Sequence, residues 1–274
     1  MSTLRFRGTA YDITGREDAP AVVLIHGIGL RRELFVEFLP SLNTEFCVLT
    51  YDLPGHGESL SLEQPITLSS LSHQLLNLLD HLGIQRSALV GFSLGGMINR
   101  KIALEHPARV TALAILNSPH ERSPEQQHLV EERAAYTQSE SLDASLDATL
   151  QRWFTVDFLA THQESIGRVR GWFLSNDKAN FAAHRNLLAR GVLELIRPES
   201  IIDCPTLVMT SENDTGSTPE MAYKIAGDIP NSKVLIVPKL KHLGILEDTD
   251  AFLVPLKDFL LQSLSNTIRP VERA

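Results

Sequence analysis

The stretch Ala88-Leu89-Val90-Gly91-Phe92-Ser93-Leu94-Gly95-Gly96 decides how this chain is read. Apolar residues suited to a strand run into a Gly-x-Ser-x-Gly pentad, and a helical pattern follows as far as His106-Pro107. A strand that turns straight into a helix holds its corner residue on a cramped bend whose neighbours have no room for side chains, and Gly91 and Gly95 meet that demand. The new helix would aim free N–H groups and the positive end of its dipole at the Ser93 hydroxyl. A serine so placed is a candidate nucleophile. It needs a base within hydrogen-bond reach and a third group that orients the base.

Outward from this corner the chain alternates strand and helix. Ala21-Val22-Val23-Leu24-Ile25 is continuously apolar, as expected for a strand covered on both faces, and ends at His26-Gly27-Ile28-Gly29. Residues 4–17 before it read as a hairpin. A strand over 46–51 ends at Asp52-Leu53-Pro54-Gly55-His56-Gly57-Glu58-Ser59, whose Pro and Gly content forces an irregular loop. Leu68, Leu71, Leu75, Leu78, Leu79 and Leu82 recur at helical spacing, with Gly83 at the C-terminal cap position. Val110 to Leu116 is the next strand. After a break the rhythm resumes with a strand at 206–209, a helix opening at Thr218-Pro219, a strand at 233–237 and a last helix over about 250–264 that must accommodate Pro255. The tail Asn266 to Ala274 is expected to fray. The fold class is therefore α/β, a mostly parallel, doubly wound sheet with helices on both faces.

Residues 119–198 interrupt the alternation. They hold helix-like stretches and both tryptophans but no convincing strand, and read as a helical cap inserted into a core made of residues 1–118 and 199–274. An insertion leaving the sheet at a strand's carboxyl end is placed to cover Ser93, so its substrate-binding surface is expected to include some of Trp153, Phe154, Phe158, Trp172 and Phe173.

On such an elbow fold the chain order is serine, acid, histidine. Asp214 follows the 206–209 strand and His242 follows the 233–237 strand, both at carboxyl ends where catalytic groups gather. Glu212, Asp203 and Asp228 are the competing acids, and placement favours Asp214. The tetrahedral oxyanion needs two N–H donors, expected from Leu94 and from Ile28, between glycines that let the backbone turn inward.

Taken together, His26-Gly27-Ile28-Gly29, Asp52 to Ser59, Gly91 to Gly96, and His242 with Glu247 five places on resemble the α/β-hydrolase superfamily over nearly the whole chain. Lys241 departs from the glycine common before the histidine, and Pro255 departs within the last helix. Arg152-Trp153-Phe154-Thr155 with Asp157-Phe158 resembles 3-oxoadipate enol-lactonases and related lactone hydrolases. The resemblance implies cleavage of a carboxylic ester or lactone through an acyl-serine, with no cofactor. Enol-lactonase, simple carboxylesterase and acyl-homoserine lactonase activities fit it, as do carbon–carbon bond hydrolases, perhydrolases and acyltransferases. A ligand receptor on the same fold is the reading from another class. Dehalogenases and epoxide hydrolases of this superfamily use aspartate where Ser93 stands.

The remaining composition narrows the partners. The net charge of -8, from 25 basic and 33 acidic residues, with no dense Lys/Arg stripe, argues against nucleic acid. Met1 to Tyr11 lack the apolar core of a signal peptide, and no run approaches the ~20 apolar residues of a membrane span, so a cytoplasmic protein is expected. Cys47 and Cys204 read as buried thiols, and the ten histidines fall in no metal-binding pattern, so no metal is expected. The substrate is expected to be a small molecule, and the oligomeric state is not encoded legibly.

Overall fold

The computed structural model describes residues 3–63, 65–139 and 141–265, so the 266–274 tail lies outside the described residues. The hairpin β1 (Leu4–Phe6) and β2 (Thr9–Gly15) is followed by β3 (Ala21–Ile25), a short helix α1 (Leu39–Leu42), β4 (Cys47–Tyr51) and α2 (Leu68–His81). Then come β5 (Ser87–Phe92), α3 (Leu94–Glu105) and β6 (Val110–Leu116). Among the described residues five α-helices and a 3-10 turn at Gly191–Leu195 separate β6 from the next strand: α4 (Pro124–Ser139), α5 (Leu142–Trp153), α6 (Val156–Thr161), α7 (Gln163–Leu174) and α8 (Lys178–Arg190). The chain finishes with β7 (Thr206–Ser211), α9 (Pro219–Gly227), β8 (Ser232–Val237), α10 (Gly244–Glu247) and α11 (Thr249–Leu264).

The described strands form one sheet in the order β1-β2-β4-β3-β5-β6-β7-β8, antiparallel from β1 to β4 and parallel from β4 to β8. Every residue of β4 and β5 is buried, which is why these strands carry apolar runs without alternation. Local chemistry sets the helix ends. Thr67 and Ser70 cap α2 reciprocally, Ser70 N–H donating to Thr67 Oγ1 at 3.0 Å and Thr67 N–H to Ser70 Oγ at 2.9 Å. Thr218 caps α9, with Pro219 at its first position. Pro255 lies inside α11, which continues past it to Leu264 with Phe252, Leu256 and Leu260 buried beneath.

From β3 the chain crosses to β4 on one side, and from β5 to β6 on the other. The carboxyl ends of β3 and β5 therefore flank the switch point, where an open α/β sheet leaves a crevice. Ser93 and the His26–Gly29 loop meet there. No helix among the described residues is long and apolar enough to cross a membrane. Cys47 is buried, Cys204 is partly exposed, and both are free thiols.

Candidate active site

Ser93 follows β5 and opens α3 with φ 55° and ψ −113°, a conformation that L side chains rarely adopt. Its own backbone is held from both sides, Ser93 N–H donating to Leu116 O at 2.8 Å and Gly96 N–H to Ser93 O at 3.0 Å. The glycines around it are steric necessities. A Cβ on Gly91 would stand 2.2 Å from Gly95 O, and one on Gly95 would stand 2.2 Å from Ile25 O. Gly27 brings the loop after β3 so close that its Cβ would sit 3.0 Å from that of Ser93. Beneath the elbow, buried Arg100 donates to Gly96 O at 2.9 Å and Pro119 O at 2.7 Å, tying α3 to the exit of β6.

His242, on the loop after β8, approaches Asp214 with Nδ1 2.6 Å from Oδ2. An ionised carboxylate only accepts, so Nδ1 carries the proton and Nε2 keeps its lone pair free to accept one. Asp214 is 3% exposed and fully engaged: Oδ1 accepts from Gly216 N–H at 2.8 Å and Ser217 N–H at 3.0 Å, and Oδ2 also accepts from Asn117 Nδ2 at 2.9 Å. Glu212 is exposed and accepts from Lys239 N–H at 2.8 Å. Asp228 pairs with His120 at 3.0 Å, and Asp203 is exposed on the approach to β7. Sequence reasoning missed Asn117. It sits just past β6, fully buried, at φ 46°, which asparagine tolerates better than most residues. No short-range pattern marks it.

Two loops around Ser93 interlock through histidines. Leu53 N–H donates to His26 Nε2 at 2.9 Å, and Gly29 N–H donates to His56 Nε2 at 3.0 Å, so each loop holds the other's backbone. The remaining ring nitrogens donate to Gly27 O and Pro54 O. Burial, which disfavours the charged ring, brings both histidines down to about 3. Protonating Nε2 would also remove the acceptor that each clamp uses. Asp52 knots the same region, accepting from Arg32 N–H at 2.8 Å, Glu58 N–H at 2.9 Å and the Arg32 guanidinium. Of the loop so clamped, Gly27 packs against Ser93. Within the described residues, neither the Ile28 N–H nor the Leu94 N–H donates to another protein group.

Ser93, Asp214 and His242 line one cavity of about 240 Å³ between the sheet and the inserted helices. Of the five aromatic candidates for substrate contact, Trp153 lines it; Phe154, Phe158, Trp172 and Phe173 do not. Phe154 and Phe158 stack on each other at 5.2 Å inside the insertion, and Phe173 is buried against Trp153, Phe181 and Gly29. Trp172 lies partly buried under the Arg168 guanidinium. Large apolar rings gain more from mutual burial among short helices than from a wetted cavity wall. The same cavity is lined instead by Arg122, Arg133, Arg152 and Arg185 with Leu129 and Val130. One sequence signal points there: residues 119–198 hold eight arginines and a single lysine.

The segment Arg152-Trp153-Phe154-Thr155 docks the insertion on the His242 loop. Leu243 N–H donates to Trp153 O at 2.8 Å, Lys241 Nζ to Gln151 O at 2.8 Å, and Thr155 N–H to Glu247 Oε1 at 2.9 Å; the Thr155 hydroxyl also donates to Glu247. Glu247 thus acts on the insertion.

A mostly parallel sheet with a serine on a strand-to-helix elbow at its switch point defines a class of α/β proteins. The chain belongs to the alpha/beta hydrolase fold family, whose profile matches residues 20–249. It is 26% identical over 238 residues to the (E)-2-((N-methylformamido)methylene)succinate hydrolase of Acinetobacter baylyi, covering 86% of this chain and 88% of that protein. It is 24% identical to 3-oxoadipate enol-lactonase 2 of the same organism, covering 88% and 89%. The crystal structure of the enol-lactonase from Burkholderia xenovorans LB400 superposes with a TM-score of 0.86 at 29% identity, covering 94% of this chain and 99% of that one.

Proposed function

We propose that this protein is a serine hydrolase that cleaves a carboxylic ester or lactone through an acyl-serine, using protein groups alone. Ser93 Oγ forms the bond to the carbonyl carbon while its proton passes to His242 Nε2. The carbonyl oxygen becomes an anion facing the Ile28 and Leu94 N–H groups and the N-terminus of α3. Collapse breaks the carbonyl–oxygen single bond, and His242 returns the proton to the leaving alkoxide. Water then repeats the sequence, releasing the acid and restoring Ser93. Asp214 fixes the histidine tautomer and stabilises the imidazolium. Residues 119–198 act as a cap, with Trp153 against the substrate.

The observation that carries this reading is the convergence of a serine on a left-handed elbow with a His242–Asp214 pair in a single cavity. The name of one relative, an enol-lactonase, supports the substrate class.

A p-nitrophenyl ester and a panel of lactones test it. Turnover is expected, and Ser93→Ala should lower it by about 10⁵ to 10⁶. Asp214→Asn should cost less than His242→Ala, while Glu212→Gln should change nothing. Undiminished turnover in Ser93→Ala would remove the mechanism, and sensitivity at Glu212 in place of Asp214 would reassign the acid.

A further inference from the structure

The cavity that Ser93 lines is also lined by Arg122, ahead of α4, Arg133 on α4, Arg152 on α5 and Arg185 on α8. Segments far apart in the chain thus bring four cations to one space. Among the described residues none of the four forms a salt bridge, although Arg32, Arg109, Arg170 and Arg197 elsewhere all do. Their hydrogen bonds go to neutral groups: Arg122 to Gln127 Oε1 and Ala189 O, Arg152 to Ala148 O and Thr149 Oγ1. The one carboxylate on the cavity wall, Asp214, is occupied by His242, Asn117 and two backbone N–H groups.

Like charges gathered in a half-buried space repel and lose hydration, and a shared anion would offset both costs. The arginines register this. Arg122 is brought down to about 10 by burial, and Arg185 to about 10 by burial and by the charges of Arg152, Arg133 and Arg122. The protein as a whole carries -8, so a basic cavity runs against its composition. Planar guanidinium forks match carboxylates bidentately. At about 240 Å³ the space lies at the small end of ligand sites, usually ~300–1,000 Å³, and suits a compact ligand.

We propose that the substrate is a compact polycarboxylate, an ester or lactone with at least two carboxylates besides the carbonyl that Ser93 attacks, held by Arg122, Arg133, Arg152 and Arg185. The proposal rests on the serine-hydrolase reading of the same cavity. Trp153, Leu129 and Val130 supply the apolar wall along which the carbon skeleton lies.

Two measurements test it separately from that reading. The first compares p-nitrophenyl butyrate, mono-p-nitrophenyl succinate and the mono-p-nitrophenyl ester of propane-1,2,3-tricarboxylic acid, which carry zero, one and two free carboxylates. The kcat/KM should rise roughly tenfold per carboxylate, and Arg152→Gln or Arg185→Gln should each reduce the charged-to-neutral ratio roughly tenfold. A ratio taken within one variant does not depend on how much of it is folded. The second measures calorimetric binding of propane-1,2,3-tricarboxylate, butyrate and inorganic phosphate to Ser93→Ala at low salt, with no turnover required. The tricarboxylate should bind more tightly than phosphate, butyrate should not bind, and Arg185→Gln should abolish the difference. Equal turnover of the three esters, or no tricarboxylate binding, overturns the polycarboxylate proposal and leaves the hydrolase intact. Phosphate binding above tricarboxylate overturns it in favour of a phosphate-bearing ligand. Tricarboxylate binding without any ester turnover upholds the anion site and removes the hydrolase reading.

Discussion

At φ 55° and ψ −113°, Ser93 holds a backbone conformation that costs a non-glycine residue on the order of 1–3 kcal/mol. The cost is met by surroundings that permit no other path: β6 holds its N–H, α3 holds its carbonyl, and Gly91 and Gly95 close the bend. Ser93→Gly should therefore raise stability by about 1 kcal/mol, the relief exceeding the extra freedom glycine gives the unfolded chain. Ser93→Ala keeps the conformation and should melt with the wild type. Urea midpoints of the two variants decide the matter, and equal midpoints would mean that no strain is stored at the elbow. Gly91 and Gly95 were legible as glycines by necessity because the motif announces the corner. Asn117 was not, since its role depends on Asp214 arriving from a strand 97 positions along the chain.

Among the elements, the junction of α5 and α6 matters most, because it joins the inserted helices to the loop bearing His242. Thr155 N–H and hydroxyl both donate to Glu247, and removing that carboxylate strands a half-buried N–H, a loss of roughly 1–3 kcal/mol. Glu247→Ala should accordingly melt earlier and show faster amide exchange over residues 151–158, with little change in β5 or α3. Unchanged exchange over that segment would mean that Glu247 does not anchor the insertion. The sequence pattern singled out both Glu247 and the 152–155 run without showing that they touch. The helix α4 was harder still: its polar residues follow no clear amphipathic period, so nothing in its spacing says that Arg133 and Val130 turn toward Ser93.

For the whole molecule, three histidines couple fold to pH. His184 on α8 lies edge-on to His56 at 4.6 Å, and His56 lies 5.5 Å from His26, so the stack runs from the insertion into the loops around Ser93. Burial holds all three at about 3, below the ordinary value of 6.5, with Arg31 and Arg32 adding repulsion at His26. A histidine whose folded value is lowered costs nothing above pH 6.5, where both states are neutral. Below it the unfolded chain takes up the proton first, so stability falls from pH 6.5 down toward 3, by up to about 1.4 kcal/mol per pH unit for each ring. Urea midpoints measured between pH 7 and 5 should decline, and His184→Phe, which keeps an aromatic edge without a titrating nitrogen, should make the decline shallower. An unaltered slope would show that His184 takes up its proton in the folded state.

By itself the sequence determined the sheet, its order of elements, the serine corner and the acid and histidine expected to serve it. Each of these rests on local chemistry: apolar runs for strands buried on both faces, glycines where a Cβ has no space, and chain order at strand ends. Where the inserted helices turn their side chains was decided by tertiary structure alone. The aromatics expected against the substrate are, apart from Trp153, consumed in holding short helices together, because their apolar area is largest. The arginines that occupy the wall instead come from three helices and one connecting segment, and no spacing within any one of them encodes that meeting. Convergence of distant segments on one space depends on how helices pack, and the energy that packs them is the non-directional burial of the residues between.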